Sequence, residues 1–336
     1  MATASVITVA YRSGPALLRL LDSLQDQEGL TEVLVVDNGR GGPEIDEAHS
    51  RDGIRVVDAG GNVGFAAGSN LGAREAQGDV LIFLNPDTVA APGAIAQLGR
   101  TLQDPFIGIA MARLRLLDEP EKLNASGVDV HVTGIGWAAG FGQPVELVRE
   151  LEEVPSPSGT AMAIRAQTFR ELGGFAEELF MYLEDLELGW RARLAGYRIV
   201  IDPEADVYHD YEYARNPRKS YFLERNRLVF CLSAYSGRQL LLLSPVLFAT
   251  ELGMVALAFK ERWLRDKVAG WGWLARNAGV VRRRRRATQE LRRVPDRELA
   301  EHLTPTFSPG MLAVPTPLRA ANPLVRGYWR LVKKAL

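Results

Sequence analysis

This sequence predicts an α/β fold, a mostly parallel sheet with helices on both faces, on three observations. Strand-like and helix-like patterns alternate through the first hundred residues, and such alternation builds parallel β-α-β units. The opening run, SVITVAY, is short, apolar and β-branched, as a buried strand is. The chain of 336 residues is 47% apolar and 24% charged. That is the composition of an ordinary globular protein, with length for one large α/β domain plus an appendage, or for two domains.

After SVITVAY, Ser13 is placed to cap a helix in which Leu17, Leu18, Leu21 and Leu24 recur at helical spacing. Next come EVLVVDN, a helix-like patch after Pro43, IRVVDAG, a loop and helix over 66–77, and DVLIFLNPD. Residues 105–160 are irregular, with short runs such as IGIAMARL and the glycine-rich VTGIGWAAGFG. SPSGTAMAIR then reads as a strand, AQTFRELGGF and LEDLELGWRARLAGY as helices ending at glycine, and RIVIDP as a short strand.

One cysteine, Cys231, excludes an intrachain disulfide framework and a cysteine-rich zinc site, and fits a reducing compartment. The N-terminal MATASVITVAYRSG lacks the charged start and apolar core of a signal peptide, so a cytoplasmic location is expected. The net charge of −1 hides an asymmetry, because Lys260 to Ala300 holds thirteen Lys/Arg against five Asp/Glu. A basic arm on an acidic body expects a polyanionic neighbour, membrane or nucleic acid. Just upstream, Leu240 to Phe259 is nearly long enough to span a bilayer, but Pro245, Glu251 and Gly253 interrupt it. An in-plane or partly inserted segment is expected in preference to a span, with a buried helix as the third reading. The GWGW and the run Arg282 to Arg286 follow directly, which favours an anionic membrane surface over nucleic acid for the 260–300 region.

In open parallel sheets, ligands bind outside the carboxyl ends of the strands. Asp37-Asn38, Asp58 and Asn85-Pro86-Asp87 stand there. The first strand is followed by YRSGPALL rather than G-x-G-x-x-G, which argues against a nicotinamide dinucleotide enzyme. Asp37 is either a turn former or a carboxylate that accepts the imide N–H of a pyrimidine. Asn62, Gly64, Gly68 and Asn70 would let backbone approach a ligand. Asp87 either completes a Pro-fixed turn or offers a hard oxygen to a divalent cation. Glu184 and Asp185 suit a first helical turn, and the apolar FMYL before them would raise their basicity towards a general-base role. His209, 24 residues after Asp185, is either structural or a ligand returned to the same sheet edge.

The segments VVDNG, NVGFAAGSNLG, GDVLIFLNPDT, SGTAMAIR, GGFAEELFMYLEDLELGWRARLAGY and VYH followed by KSYFLERNR come in an order that resembles the inverting GT-A glycosyltransferases of family 2. The similarity is greatest to the bacterial rhamnosyltransferase-like branch, and it covers roughly residues 5 to 230. The resemblance implies a GT-A (Rossmann-like) domain over 1–230 and a helical, basic, membrane-associating region over 231–336. It implies Asp185 as catalytic base with Glu184 beside it, and Asp87 and His209 as ligands of Mg²⁺ or Mn²⁺. It further implies a nucleotide-sugar site lined by Asp37, Asn38, Asn62, Gly64, Phe65, Asn70, Asn85, Gly159 and Thr160, with Arg225-Asn226 following the catalytic segment. Asn85 stands where the family's D-x-D motif begins with an acid, which puts the number of carboxylate ligands in question.

The implied activity is inverting transfer of a sugar, L-rhamnose from dTDP-rhamnose first, to a polyprenyl-diphosphate-linked saccharide in cell-envelope polysaccharide synthesis. The implied setting is peripheral, at the cytoplasmic face of the inner membrane, with no nucleic-acid partner; a homo-oligomer is compatible with it. A UDP- or GDP-hexose or galactofuranose donor is the alternative within the class, and a non-catalytic nucleotide-sugar-binding scaffold the alternative outside it.

Overall fold

The computed structural model describes residues 3–210, 218–307 and 316–336. The chain forms two compact units: Met1–Val128, Ala138–Ala192 and Tyr197–Glu212 make the first, and Asp129–Trp137, Arg193–Gly196 and Tyr213–Leu336 the second.

The first unit opens with β1 (Ala4–Ala10), α1 (Pro15–Ser23), β2 (Leu30–Asp37), α2 (Pro43–Ser50), β3 (Ile54–Asp58), α3 (Gly64–Glu75) and β4 (Val80–Leu84). This is the alternation the sequence predicts, and β3, β2, β1 and β4 lie side by side and parallel. Next come β5 (Thr88–Ala90), α4 (Ala94–Thr101), β6 (Ile107–Leu116) and β7 (Leu123–Ala125). A small two-stranded ribbon, β8 (Val128–Val130) with β9 (Gly136–Ala138), precedes β10 (Glu152–Glu153), β11 (Ala161–Arg165), α5 (Ala166–Leu172), α6 (Glu184–Leu194) and β12 (Arg198–His209).

The sheet order is β10-β12-β6-β11-β4-β1-β2-β3. β11 runs antiparallel between β4 and β6, whereas β12 runs parallel to β6. The irregular stretch of the sequence therefore holds β6, a buried interior strand. RIVIDP is only the start of β12, whose register shifts between Asp202 and Asp206. A bulge there accommodates Pro203, which has no N–H to give a ladder.

Two local expectations change. Ser13 does not cap α1; the N-cap is Gly14 with φ 53°, and Ser13 Oγ instead accepts the Tyr11 N–H. Gly68 and Gly72 of α3 serve packing. A Cβ on Gly68 would lie 2.9 Å from Val9 Cγ1, and one on Gly72 2.5 Å from Ile7 Cγ2, so both let α3 lie close on β1.

Helix α6 is held by a buried ion pair. Arg191 Nη2 lies 2.6 Å from Glu187 Oε2 and 2.6 Å from the Gly174 carbonyl, and its Nη1 donates to the Leu172 carbonyl. The guanidinium thereby satisfies the open carboxyl end of α5 and fixes the helix that carries Asp185.

The second unit is helical: α7 (Lys219–Ala234), α8 (Gly237–Lys260), α9 (Leu264–Arg276), α10 (Ala278–Glu290), α11 (Asp296–Leu299) and α12 (Thr316–Ala335). Ser236 and Gln239 form a capping box at the start of α8. Glu251, which interrupts the apolar run, turns onto α7 and α9. It pairs with Arg227 and with Lys267 at 2.8 Å, and Glu224 joins the same two cations. Charges of opposite sign thus neutralise one another out of water. The arginine run is not all free surface either, since Arg285 donates to the carbonyls of Leu232 and Tyr235 at the end of α7.

Candidate active site

The site grows from the carboxyl ends of β2, β4 and β12 and the start of the antiparallel β11. Because β11 begins where β4 stops, with Ala161 opposite Leu84, the Asn85 N–H reaches the Thr160 carbonyl at 2.9 Å. Asn85, Pro86 and Asp87 then turn tightly, the Asn85 carbonyl accepting both the Thr88 N–H and the Thr88 hydroxyl. The turn leads into β5, which pairs with the end of β12 so that Thr88 lies opposite His209. The result is direct: His209 Nε2 is 3.3 Å from Asp87 Oδ1, and both side chains are largely shielded.

Asp185 joins the same bonded chain from the other side. Its Oδ2 accepts the Gly159 N–H at 2.7 Å and its Oδ1 the Leu186 N–H at 2.7 Å. A Cβ on Gly159 would be 3.1 Å from the Asp185 Cβ, so the missing side chain is what lets the carboxylate in. Burial raises the Asp185 pKa, and the backbone N–H groups of Gly159 and Leu186 oppose that rise. Glu184 is pushed well up, first by burial and then by the neighbouring Asp185 charge, and its Oε2 is buried without a hydrogen-bond partner among the described residues. Of the pair, Glu184 is raised the further, which leaves Asp185 the more acidic member.

Folding makes Glu184 hold its proton longer than the unfolded chain does. Below the unfolded pKa the group is neutral in both states; above it the unfolded chain ionises first, and stability falls as pH rises towards the folded value. Glu184→Gln removes that loss. Relative to wild type, it is expected to gain stability as pH rises above the ordinary glutamate range, read as the difference in urea midpoints; an unchanged difference would sink the assignment.

The segment before the acids is strained. Phe180 (φ 67°, ψ −61°) makes a γ-turn closed by the Met181 N–H on the Leu179 carbonyl, and Tyr182 and Leu183 also have positive φ. Such backbone costs about 1–3 kcal/mol per residue and gathers at functional sites. Its payload here is a latch, in which the Phe180 carbonyl accepts the Ala66 N–H. A Cβ on Gly64 would lie 2.5 Å from the same oxygen. The space beside Gly64 is therefore filled by Phe180.

The remaining predicted residues separate. Asp37 accepts the N–H groups of Gly39 and Gly41 at 2.9 and 2.5 Å; it forms the turn, with lone pairs left over for a base. Asn38 ties down the next loop, accepting the Val63 N–H and donating to Asn62 Oδ1. Asn70 is bonded to both the N–H and the carbonyl of Phe175. Phe65 packs edge-on against Phe175 at 5.8 Å. Thr160 accepts from Ser158 Oγ. Arg225 is buried in the second unit, over the Trp273 ring and bonded to Asn226.

Among the described residues, no group of three His, Cys, Asp or Glu side chains is placed to hold a metal. The pair Asp87–His209 fits a divalent cation that takes its other ligands from a bound diphosphate, since such ions use one or two protein ligands plus phosphate oxygens. A polar neighbour that sequence reasoning missed is Asn124, whose Oδ1 is 3.0 Å from His209 Nδ1. It carries no motif, and only the sheet brings it there.

Residues 5–173 match the model of Glycosyl transferase family 2. Over 236 residues the chain is 30% identical to the N-acetylglucosaminyl-diphospho-decaprenol L-rhamnosyltransferase of Mycobacterium tuberculosis, a match spanning 61% of this chain and 75% of that protein. The fold resembles solved structures at lower identity. GalNAc-T7 with UDP, GalNAc and Mn²⁺ aligns with a TM-score of 0.60 at 19% identity, over 69% of this chain and 48% of that one. The mannosyltransferase PcManGT of Pyrobaculum calidifontis, with GDP-Man and Mn²⁺, aligns with 0.51 at 17% identity, over 99% and 86%. With a GT-A-like sheet whose edge carries these acids, and with half of its length matched by the family model, the chain belongs to glycosyl transferase family 2.

Proposed function

We propose that this glycosyltransferase moves a sugar from a nucleotide donor to a lipid-linked saccharide with inversion at the anomeric carbon. The observation that carries the reading is the continuous bonded path from Asp185 through Gly159, Thr160 and Asn85 to Asp87 and His209. It supports a base and a cation site held at one sheet edge. Asp185 takes the proton of the acceptor hydroxyl as that oxygen bonds to the anomeric carbon and the bond to the nucleoside diphosphate oxygen breaks. Asp87 and His209 are the proposed ligands of Mg²⁺ or Mn²⁺. Such an ion offsets charge on the leaving diphosphate. Asp37, Asn38 and Asn62 support the proposed nucleotide wall, with Asn85, Gly159 and Thr160 towards the sugar.

L-rhamnose, as dTDP-rhamnose, is the proposed donor sugar, and a polyprenyl-diphosphate-linked saccharide of cell-envelope synthesis the proposed acceptor. The name of the M. tuberculosis relative supports the rhamnosyl group and the polyprenyl-diphosphate-linked acceptor. A panel of nucleotide sugars tested with Mg²⁺ and with Mn²⁺ is the check. The expected result is a metal-dependent thermal shift and slow donor hydrolysis with dTDP-rhamnose; a shift with UDP- or GDP-hexoses alone would overturn the donor assignment, and none with any donor the enzyme reading.

We also propose that residues 231–336 seat the protein peripherally on the cytoplasmic face of the inner membrane. Gly237–Lys260 is, among the described residues, the one helix long and apolar enough to cross a bilayer. Two-sidedness supports an in-plane seat instead. Leu241, Pro245, Phe248, Leu252, Ala256 and Phe259 are exposed along one face, while Gln239, Leu243 and Ala258 are buried on the other and Glu251 is paired. The exposed Arg282, Arg283 and Arg286 suit anionic head groups.

A further inference from the structure

We infer that Asn124 is a positioning residue for the cation site, setting the tautomer of His209 so that Nε2 offers a lone pair on the Asp87 side. The inference rests on the metal reading above and adds a residue to it.

Asn124 lies on β7, next to β6 in the sheet. Pairing runs Leu114 with Ala125 and then Arg115 with Leu123, so Asn124 is the extra residue of a bulge. Bulges re-aim a side chain beside a working site. On the other side of β6, Leu116 lies opposite His209 of β12. The bulge sends the Asn124 side chain to His209: Asn124 is 4% exposed, and its Oδ1 is 3.0 Å from His209 Nδ1.

The chemistry follows from the donor inventory. An amide oxygen only accepts, so this bond places the imidazole proton on Nδ1 and, in the neutral ring, leaves Nε2 as an acceptor. Nε2 faces the Asp87 carboxylate oxygen at 3.3 Å. In that neutral form the two lone pairs converge, an arrangement that a shared cation suits. Two ligands each about 2.1 Å from one ion, at roughly a right angle, stand about 3 Å apart, close to the spacing here. Turned the other way, the amide would donate to Nδ1 and force the proton onto Nε2, the wrong tautomer for a ligand.

The full chain is titrated with Mn²⁺ alone, free ion being read by electron paramagnetic resonance, for wild type, Asn124→Leu, Asn124→Asp, Asp87→Asn and His209→Ala. Asn124→Leu should weaken binding about 10- to 100-fold, the usual effect of losing an outer-shell partner of a ligating histidine. Asn124→Asp, an acceptor that cannot turn to donate, should bind as tightly as wild type or more so. Unchanged affinity in Asn124→Leu, with Asp87→Asn and His209→Ala both defective, would overturn the inference and leave the metal reading standing. Wild-type affinity in Asp87→Asn and His209→Ala would remove the metal reading and the inference with it. Should Asn124→Leu not fold, ¹⁵N imidazole shifts of the metal-free wild type decide, in a chain with only four histidines. A proton on Nδ1 of the neutral His209 ring is expected, and one on Nε2 would sink the assignment.

Discussion

Asp185→Asn should lower kcat by about 100- to 10,000-fold, the range general-base catalysis contributes, while donor affinity stays near wild type. The substitution keeps size and one carbonyl oxygen, so an acceptor for the Gly159 N–H, now at 2.7 Å from Asp185, is retained. What is lost is the basic site whose pKa burial has raised. A donor-binding isotherm separates the two effects. Equal losses in donor binding and turnover would point to a structural role, and unchanged turnover would remove Asp185 as the base. Glu184 is a poor substitute, since burial, the larger cause of its raised pKa, persists in the variant.

The second large effect is expected on the face of α8. Phe248→Glu with Leu252→Glu should abolish flotation with anionic vesicles while leaving the fold intact. Phe248 and Leu252 are 67% and 58% exposed, so folding gains little from them. Burying two such side chains in lipid is worth about 3–6 kcal/mol, and about 1.4 kcal/mol is tenfold in binding. The pair should therefore lower partitioning by about two to four orders of magnitude. Flotation of the double variant at the wild-type level would refute the in-plane seat. A wild-type dimer without vesicles, lost in the variant, would assign the stripe to a second copy instead.

Glu251 shows why that face was hard to judge from sequence. As a letter in an apolar run, it argued against a bilayer span and left three readings standing. In the fold it is paired with Arg227 and Lys267, two residues from other helices. Similarly, β6 was invisible as a central strand, because a continuous apolar run among glycines looks alike in a strand, a helix or a loop. Gly68 looked like a ligand contact and proved to be a packing position. Sequence shows that a glycine is there, not which neighbour occupies the vacated space.

The sequence by itself determined the α/β class, the first seven elements in order, and the family, because strand and helix periodicities are local and the acid-bearing motifs keep their spacing. Tertiary structure alone decided what those acids face. The approach of Asp87 to His209 depends on β5 pairing with the far end of β12. The grip on Asp185 depends on β11 beginning beside Asn85. Asn124 reaches His209 through a bulge across a third strand. Register and bulges are properties of paired strands, and a single strand read along its own length does not contain them.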